Sequence, residues 1–464
     1  MTFATCLGQT IMCRVSWVNR DRWRDHTEAR SPGRPVPGGL GVVVSRLPSG
    51  PLTNSGHAVL ASMPITDTPS ALTWLVDRCD GFSARVDAMF ARLERRLGGW
   101  GACLVFGLML LALAAIYTAP AKELINHGTF YGEFARDPFN ESSLTSSIRF
   151  RPLSPFIAHF MFLRGQAFMA FPLLGIVVFL AVVMRGCRQR GFSGSESLAM
   201  ASLLAFTSPI LFTLHFAGYV DVISYLFIAL AVMWAGSDVL VAACVCLALL
   251  NHDSNLFILP WLFFHVARQR KSWARRARLG AALAVGLLIV FLVRRFIAQR
   301  APVAWEPSFY LNLPYLRENA LLNVRGAWLG LFMVFKLCWL IPVFAGLDLF
   351  VKKRRIQLFD LSLAVFCGVA TLLITSDVSR LPAMAFPAIL GGAAVLRKQT
   401  AAPPRFARAL WVLVALNLLV PQYYVGQSKP IVFFPLPVAL VLKAAGYNPW
   451  EDWLGARVMH FSQE

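Results

Sequence analysis

The chain has 464 residues, of which 57% are hydrophobic and 15% charged, with a formal net charge of +20. Soluble globular proteins carry roughly 25% charged residues, so the composition excludes an ordinary soluble enzyme. It also argues against nucleic acid as partner, because the basic residues come in short clusters between apolar runs and no nucleic-acid-binding motif accompanies them.

Residues 1–69 are rich in Arg, Gly, Pro and Ser and show no sustained period. They form an N-terminal extension, expected to be disordered. Met63 opens a short leader-like stretch, and the expectation is that translation starts there, with a disordered cytoplasmic tail as the alternative. Residues 70–97 are expected to form an amphipathic helix on the cytoplasmic membrane surface. Leu72, Leu75, Val76, Cys79, Phe82, Val86, Phe90 and Leu93 recur there at helical spacing, with arginines between them.

Residues 98–445 read as a multi-span transmembrane domain, followed by a short tail over 446–464. The fold class is therefore all-α and polytopic, with about eleven transmembrane helices (ten to twelve) plus interfacial helices. The expected spans are 99–118, 167–184, 196–215, 221–235, 238–250, 255–267, 279–297, 326–350, 358–375, 381–396 and 409–424. Residues 154–163 are too short to span and are expected to lie at the interface. Residues 431–443 form either another such helix or a twelfth span. The nine cysteines show neither a disulfide framework nor a zinc-type spacing, and read as packing residues.

Basic clusters fix the expected orientation. They lie at Arg92, Arg95 and Arg96; at Arg185, Arg188 and Arg190; from Arg268 to Arg278; from Lys352 to Arg355; and from Arg397 to Arg408. With these spans all five fall on one side, which the positive-inside rule assigns to the cytoplasm, along with the N-terminus. The plasma membrane is expected, and the Ala- and Arg-rich composition with brief loops suggests a bacterial inner membrane.

The opposite side collects unusual polar residues at span ends. Tyr219 and Asp221 lie in Gly218-Tyr-Val-Asp221, His252 and Asp253 in Asn251-His-Asp-Ser-Asn255, and Asp377 and Arg380 in a fifth external segment. Arg294 and Arg295 break the positive-inside pattern. The first external loop carries Glu133, Arg136, Asp137, Arg149 and Arg151. Ionisable groups at a membrane boundary are costly unless paired, hydrated or functional. Each also has a structural reading: Asp221 as a helix cap, Asp377 with Arg380 as a cap and ion pair, Arg294 and Arg295 as a shifted span end. Arginines suit an anionic headgroup and a carboxylate suits a general base, so the set fits a lipid-linked sugar phosphate.

The layout over residues 99–425 resembles the GT-C superfamily of multi-span glycosyltransferases, whose acidic residue sits in the first long external loop. The resemblance is carried by Tyr131-Gly-Glu-Phe-Ala-Arg-Asp137 and the interfacial stretch before the second span. It implies Asp137, then Glu133, as catalytic carboxylate, and a polyprenyl-phosphate sugar as donor. Arg136, Arg149, Arg151, Tyr219, Asp221, His252, Asp253, Arg294, Arg295, Asp377 and Arg380 are the expected substrate-binding residues. No cofactor is required; where a metal takes part, it is Mg or Mn on oxygen ligands. The expected partners are membrane lipid and the lipid-linked donor. Three alternatives stand beside this reading: a transporter or flippase for a lipid-linked substrate, a polysaccharide polymerase or ligase, and an accessory membrane subunit.

Overall fold

Length decides how many of the apolar runs can cross a bilayer. The computed structural model of the chain describes residues 71–139, 147–300, 312–374, 377–400, 403–425 and 430–446, all within one compact unit, Thr68–Glu464. The expectations for residues 1–69, Met63 as initiator included, and for most of the 446–464 tail lie outside the described residues.

Helix α1 runs Ala71–Thr118 and breaks at Gly98, whose φ of 74° only glycine adopts easily. The part before the break is helical, as the spacing of its apolar residues predicts. Its buried face, Val86 and Phe90, packs on protein. Phe90 stacks on Phe106, and Ser83 donates to Ser195 at 2.8 Å. After a short α2 (His127–Arg136) and α3 (Leu153–Phe160) come α4 (Ala170–Gln189), α5 (Gly194–Ala205) and α6 (Ser208–His215). α5 opens on a capping box: Ser193 caps the Glu196 N–H and Glu196 returns to the Ser193 N–H at 2.7 Å. α7 (Asp221–Met233), α8 (Asp238–Asn251), α9 (Leu259–Ala267) and α10 (Trp273–Arg300) follow. Then come α11 (Leu313–Phe335), α12 (Leu340–Val351), α13 (Arg355–Ala370), α14 (Phe386–Gln399) and α15 (Pro403–Leu419). A hairpin of β1 (Gln422–Val425) and β2 (Pro430–Phe433), with Gln422 opposite Phe433, precedes α16 (Leu436–Ala444).

Among the described residues, five helical stretches are long and apolar enough to cross a membrane: Asp77–Thr118, Gly165–Gln189, Trp273–Gln299, Gly326–Val351 and Arg355–Leu373. The α5–α6 pair, bent by 52°, makes a sixth. This corrects the expectation of about eleven spans. The 13 residues of α7 and 14 of α8 rise only about 20 Å, against a hydrocarbon core of about 30 Å. α9, with 9 residues, is shorter still and α14, with 14, is no longer than α8; each is preceded by a 3₁₀ turn, Asp253–Ile258 and Leu381–Ala385, and each has a proline near its start. An apolar run of the right composition is thus divided by local backbone chemistry that a hydropathy window does not register. The stretch 431–443 is likewise no twelfth span, since it begins as β2 and ends in a nine-residue helix.

The five basic clusters do gather at one end. Glu94 pairs with Arg188 at 3.1 Å, Glu196 with Arg397 at 2.8 Å, and Asp80 with Arg408 through Nε at 3.1 Å. Gln399 and Lys352 share Asp348, and Arg268 reaches Asp360 on α13 at 2.7 Å. Asp238 binds Arg270 at 2.5 Å and Arg278 at 2.8 Å. Acids on neighbouring helices hold members of these clusters: Glu94 on α1, Glu196 on α5, Asp238 on α8 and Asp360 on α13. The chain therefore runs repeatedly between this end and the other, where α7 begins and α8 finishes.

Candidate functional site: a polar cavity at the end opposite the basic clusters

A buried amide network brings the start of α7 to the end of α8. The Asn251 Nδ2 donates to the Val220 carbonyl and to Ser224 Oγ, both at 2.9 Å, and its Oδ1 accepts from Ser154. Asn255 Nδ2 donates to Ser224 Oγ, to the Ala248 carbonyl and to the His252 carbonyl. Both amides are essentially inaccessible to solvent. In an apolar bundle such groups stay buried only when bonded, so they pin the backbone at 220–224 to that at 248–255.

The segment 377–380 is fixed to the same place from other elements. Ser208 Oγ donates to the Ser379 carbonyl at 2.6 Å, the Val425 N–H to Ser379 Oγ at 2.9 Å, and Tyr424 to Asp377. Arg380 pairs with Asp377 at 2.5 Å and comes within 3.9 Å of Asp221. Its guanidinium lies 5.1 Å from the ring centres of both Phe212 and Tyr219, which hold its plane.

The result is a small cavity walled by His127, Tyr131, Arg151, Tyr219, Asp221, His252 and Arg380, with room for about one water molecule. Asp221, 3% exposed, is the first residue of α7 but caps nothing, since Val220 holds the N-cap position. Its Oδ1 stands 3.9 Å from His252 Nε2. Beside the cavity, Asp253 binds Arg294 and lies 3.6 Å from Arg151, while Arg294 also donates to the Leu249 carbonyl at 2.7 Å. Arg151, Arg294 and Arg380 stand against Asp221, Asp253 and Asp377, so the formal charges of the cavity and its immediate surroundings balance. Partial burial of His127, then Arg380 and Arg151, lower its pKa to about 4, although the residue is exposed overall and solvent screens part of that push.

Seven of the residues singled out from sequence therefore meet: Arg151, Tyr219, Asp221, His252, Arg380 and, in contact with them, Asp253 and Asp377. Arg294 joins through Asp253, and Arg149 is buried nearby in sequence, in the turn before Arg151. Glu133, Arg136, Asp137 and Arg295 are exposed and off the cavity wall. The Asp137 carboxylate accepts only from the Phe139 N–H, at 3.3 Å, among the described residues. The Arg136 guanidinium lies against Gly165. Sequence reasoning passed over His127, Tyr131, Tyr424, Asn251, Asn255 and Ser224. The i, i+4 spacing of His127 and Tyr131 on α2 was available as a signal; Tyr424, beyond the last run, was not marked by any.

The arrangement suits an anion that also carries hydroxyl donors: guanidinium groups for the one and a carboxylate for the other. It does not suit a divalent cation. Asp221 is the single acid on the wall and two arginines flank it, and no group of three His, Cys, Asp or Glu residues that could hold a metal occurs among the described residues. Compared with protein-family models, curated proteins and solved structures, the chain matches none.

Proposed function

We propose that the protein is a GT-C-like glycosyltransferase that moves a sugar from a polyprenyl-phosphate donor to an acceptor at the outer face of a plasma membrane, bacterial by its loop pattern. The observation that carries the reading is the meeting of Arg151, Asp221, His252 and Arg380, from four separated stretches, in one cavity at the end away from the basic clusters. With those clusters in the cytoplasm, the cavity opens where a lipid-linked donor presents its headgroup. Positioning and charge stabilisation of a departing phosphate supply the acceleration such a site needs. The test is binding of undecaprenyl phosphate to the full chain in lipid nanodiscs, followed by its release from undecaprenyl-phosphate sugars. Failure of both removes the reading.

One feature favours a transporter or flippase as second reading. The span Gly326–Val351 is interrupted at Lys336, whose φ is 50° and whose side chain is wholly buried. Its ammonium donates to the Val420 carbonyl at 3.0 Å and to Tyr117 Oη at 3.3 Å. Discontinuous helices with ionisable groups at the break occur in transporters. Transbilayer movement of a labelled polyprenyl phosphate in proteoliposomes, without sugar transfer, would select this reading.

A further inference from the structure

Asp221 is the one acidic group on the cavity wall, and its buried Oδ1 has no hydrogen-bond donor among the described residues. The groups around it stop short. His252 Nε2 is 3.9 Å from Oδ1, and Arg380 is 3.9 Å from Oδ2. A buried carboxylate oxygen left without a donor is costly. At 3.9 Å neither gap admits an oxygen in line, but a hydroxyl standing off to the cavity side comes within hydrogen-bond reach of both groups, so the missing donor is one that arrives with a ligand.

The orientation of His252 follows from its neighbour. The Ser254 backbone N–H, which can only donate, points at His252 Nδ1 at 3.2 Å, and the Ser254 hydroxyl lies 2.7 Å from the same nitrogen. Nδ1 is therefore an acceptor, and the ring's single proton is on Nε2, toward Asp221. In this state His252 offers an N–H to the cavity and cannot take a proton there. The amides of Asn251 and Asn255 hold both residues to this geometry.

We infer that Asp221 is the general base of the transfer, in place of the first-loop acids Asp137 and Glu133, and that His252 serves as a hydrogen-bond donor through Nε2. The inference rests on the glycosyl-transfer reading. The acceptor's hydroxyl oxygen bonds to the anomeric carbon as the bond from that carbon to the phosphate oxygen breaks. The bonding pair leaves with the phosphate, which goes from diester monoanion to monoester dianion. The hydroxyl proton passes to Asp221, which becomes the neutral acid. Total charge in the cavity is unchanged. The His252 N–H, Arg151 and Arg380 are placed to hold the second phosphate charge as it forms.

The experiment uses the full chain in nanodiscs, with undecaprenyl phosphate as binding probe and a panel of undecaprenyl-phosphate hexoses and pentoses as donors. Asp221→Asn is expected to bind undecaprenyl phosphate at least as tightly as the unaltered protein, and to release it from a donor about 100- to 10,000-fold more slowly. His252→Gln, which keeps an N–H donor, is expected to retain part of the rate. Should Asp221→Asn fail to fold, Asp221→Glu restores a carboxylate. It is expected to give a reduced rate that still falls as pH drops, and a rate independent of pH overturns the inference. Asp221→Asn with full release, and the loss falling instead on Asp137→Asn or Glu133→Gln, overturns the base assignment and leaves glycosyl transfer standing. A loss in His252→Gln equal to that in Asp221→Asn also overturns it, since His252 would then be the base. An unaltered protein that neither binds the probe nor consumes any donor removes the glycosyl-transfer reading itself, and the base assignment with it.

Discussion

Asp221 and His252 face each other at 3.9 Å, one from the first residue of α7 and the other from just beyond the end of α8. Two short antiparallel helices bring these residues to the same end, and the distance is set by amides that never touch the cavity. Asn251→Ala would strip donors from the Val220 carbonyl and Ser224 and an acceptor from Ser154. Each buried group left unpaired costs about 1–3 kcal/mol. The expected outcome is a clear fall in thermal stability together with weaker binding of undecaprenyl phosphate, although Asn251 is not on the cavity wall. Melting curves and probe titration in the same nanodiscs read both.

Asp253 holds Arg294 and lies beside Arg151 in a largely buried setting. Removing one partner of a buried pair leaves an uncompensated charge and costs about 3–5 kcal/mol. Asp253→Asn should therefore lower the melting temperature markedly. Arg295→Gln, at an exposed position on the same helix turn, should change stability by no more than about 0.5 kcal/mol. Equal effects from the two would mean that Arg294 and Arg295 do not face different surroundings.

Gly128 on α2 and Gly218 in the Gly-Tyr-Val-Asp turn touch backbone to backbone. A Cβ on Gly128 would stand 2.1 Å from the Ala217 carbonyl oxygen, and one on Gly218 would stand 2.6 Å from the Gly128 Cα, at a φ of +92°. Neither obstacle is a side chain that can move aside, and Gly218 has the positive φ that only glycine adopts without strain. Gly128→Ala and Gly218→Ala should each lift α2 from the turn that carries Tyr219 and Asp221. Weakened probe binding is expected from both, with a larger loss of stability at Gly218.

Much of this site was legible before the structure because its ionisable members are conspicuous. Asp221, His252, Asp377 and Arg380 stand alone at the ends of apolar runs, and charge at a span end is rare enough to notice. Gathering the basic clusters at one end needed only their order along the chain. What holds the site together was not legible. Asn251, Ser224 and Asn255 read as ordinary small polar residues beside apolar runs, and Tyr424 pairs with Asp377 across 47 positions of chain. The span count went astray at α7, α8, α9, α14 and α15, where helices of 9 to 17 residues, two of them entered through 3₁₀ turns, share the apolar composition of longer ones. Glu133 and Asp137 drew attention through sequence resemblance alone, and three-dimensional placement puts both at the surface.

Burial of the ring, then Arg380 and Arg151, hold the His127 pKa near 4, below its usual value near 6.5. The residue as a whole is exposed, so solvent screens part of that push. The unfolded chain takes up this proton near pH 6.5 and the folded chain only near pH 4. The neutral ring's contribution is thus present above pH 6.5 and is lost as pH falls through about 4. His127→Gln should flatten this share of the acid destabilisation, measured as melting temperature against pH.

Sidedness has its own check. Phe139 lies just past α2 and Lys353 in the turn between α12 and α13, and both are exposed. Cysteines introduced at 139 and 353 should react with an impermeant maleimide from opposite sides of sealed cells, 139 from outside. Labelling of both from one side would break the assignment of the basic end to the cytoplasm.

The most direct measurement is binding of undecaprenyl phosphate to the unaltered chain and to Arg380→Lys. Arg380 is clamped by Asp377 and two aromatic rings, and its planar fork is what lysine lacks. The cavity as an anionic-headgroup site predicts saturable binding that weakens about 10-fold or more in Arg380→Lys, with inorganic phosphate a far poorer ligand because it has no tail in the bilayer. Binding that is absent, or unchanged by the substitution, would contradict the assignment of this cavity to a lipid-linked phosphate.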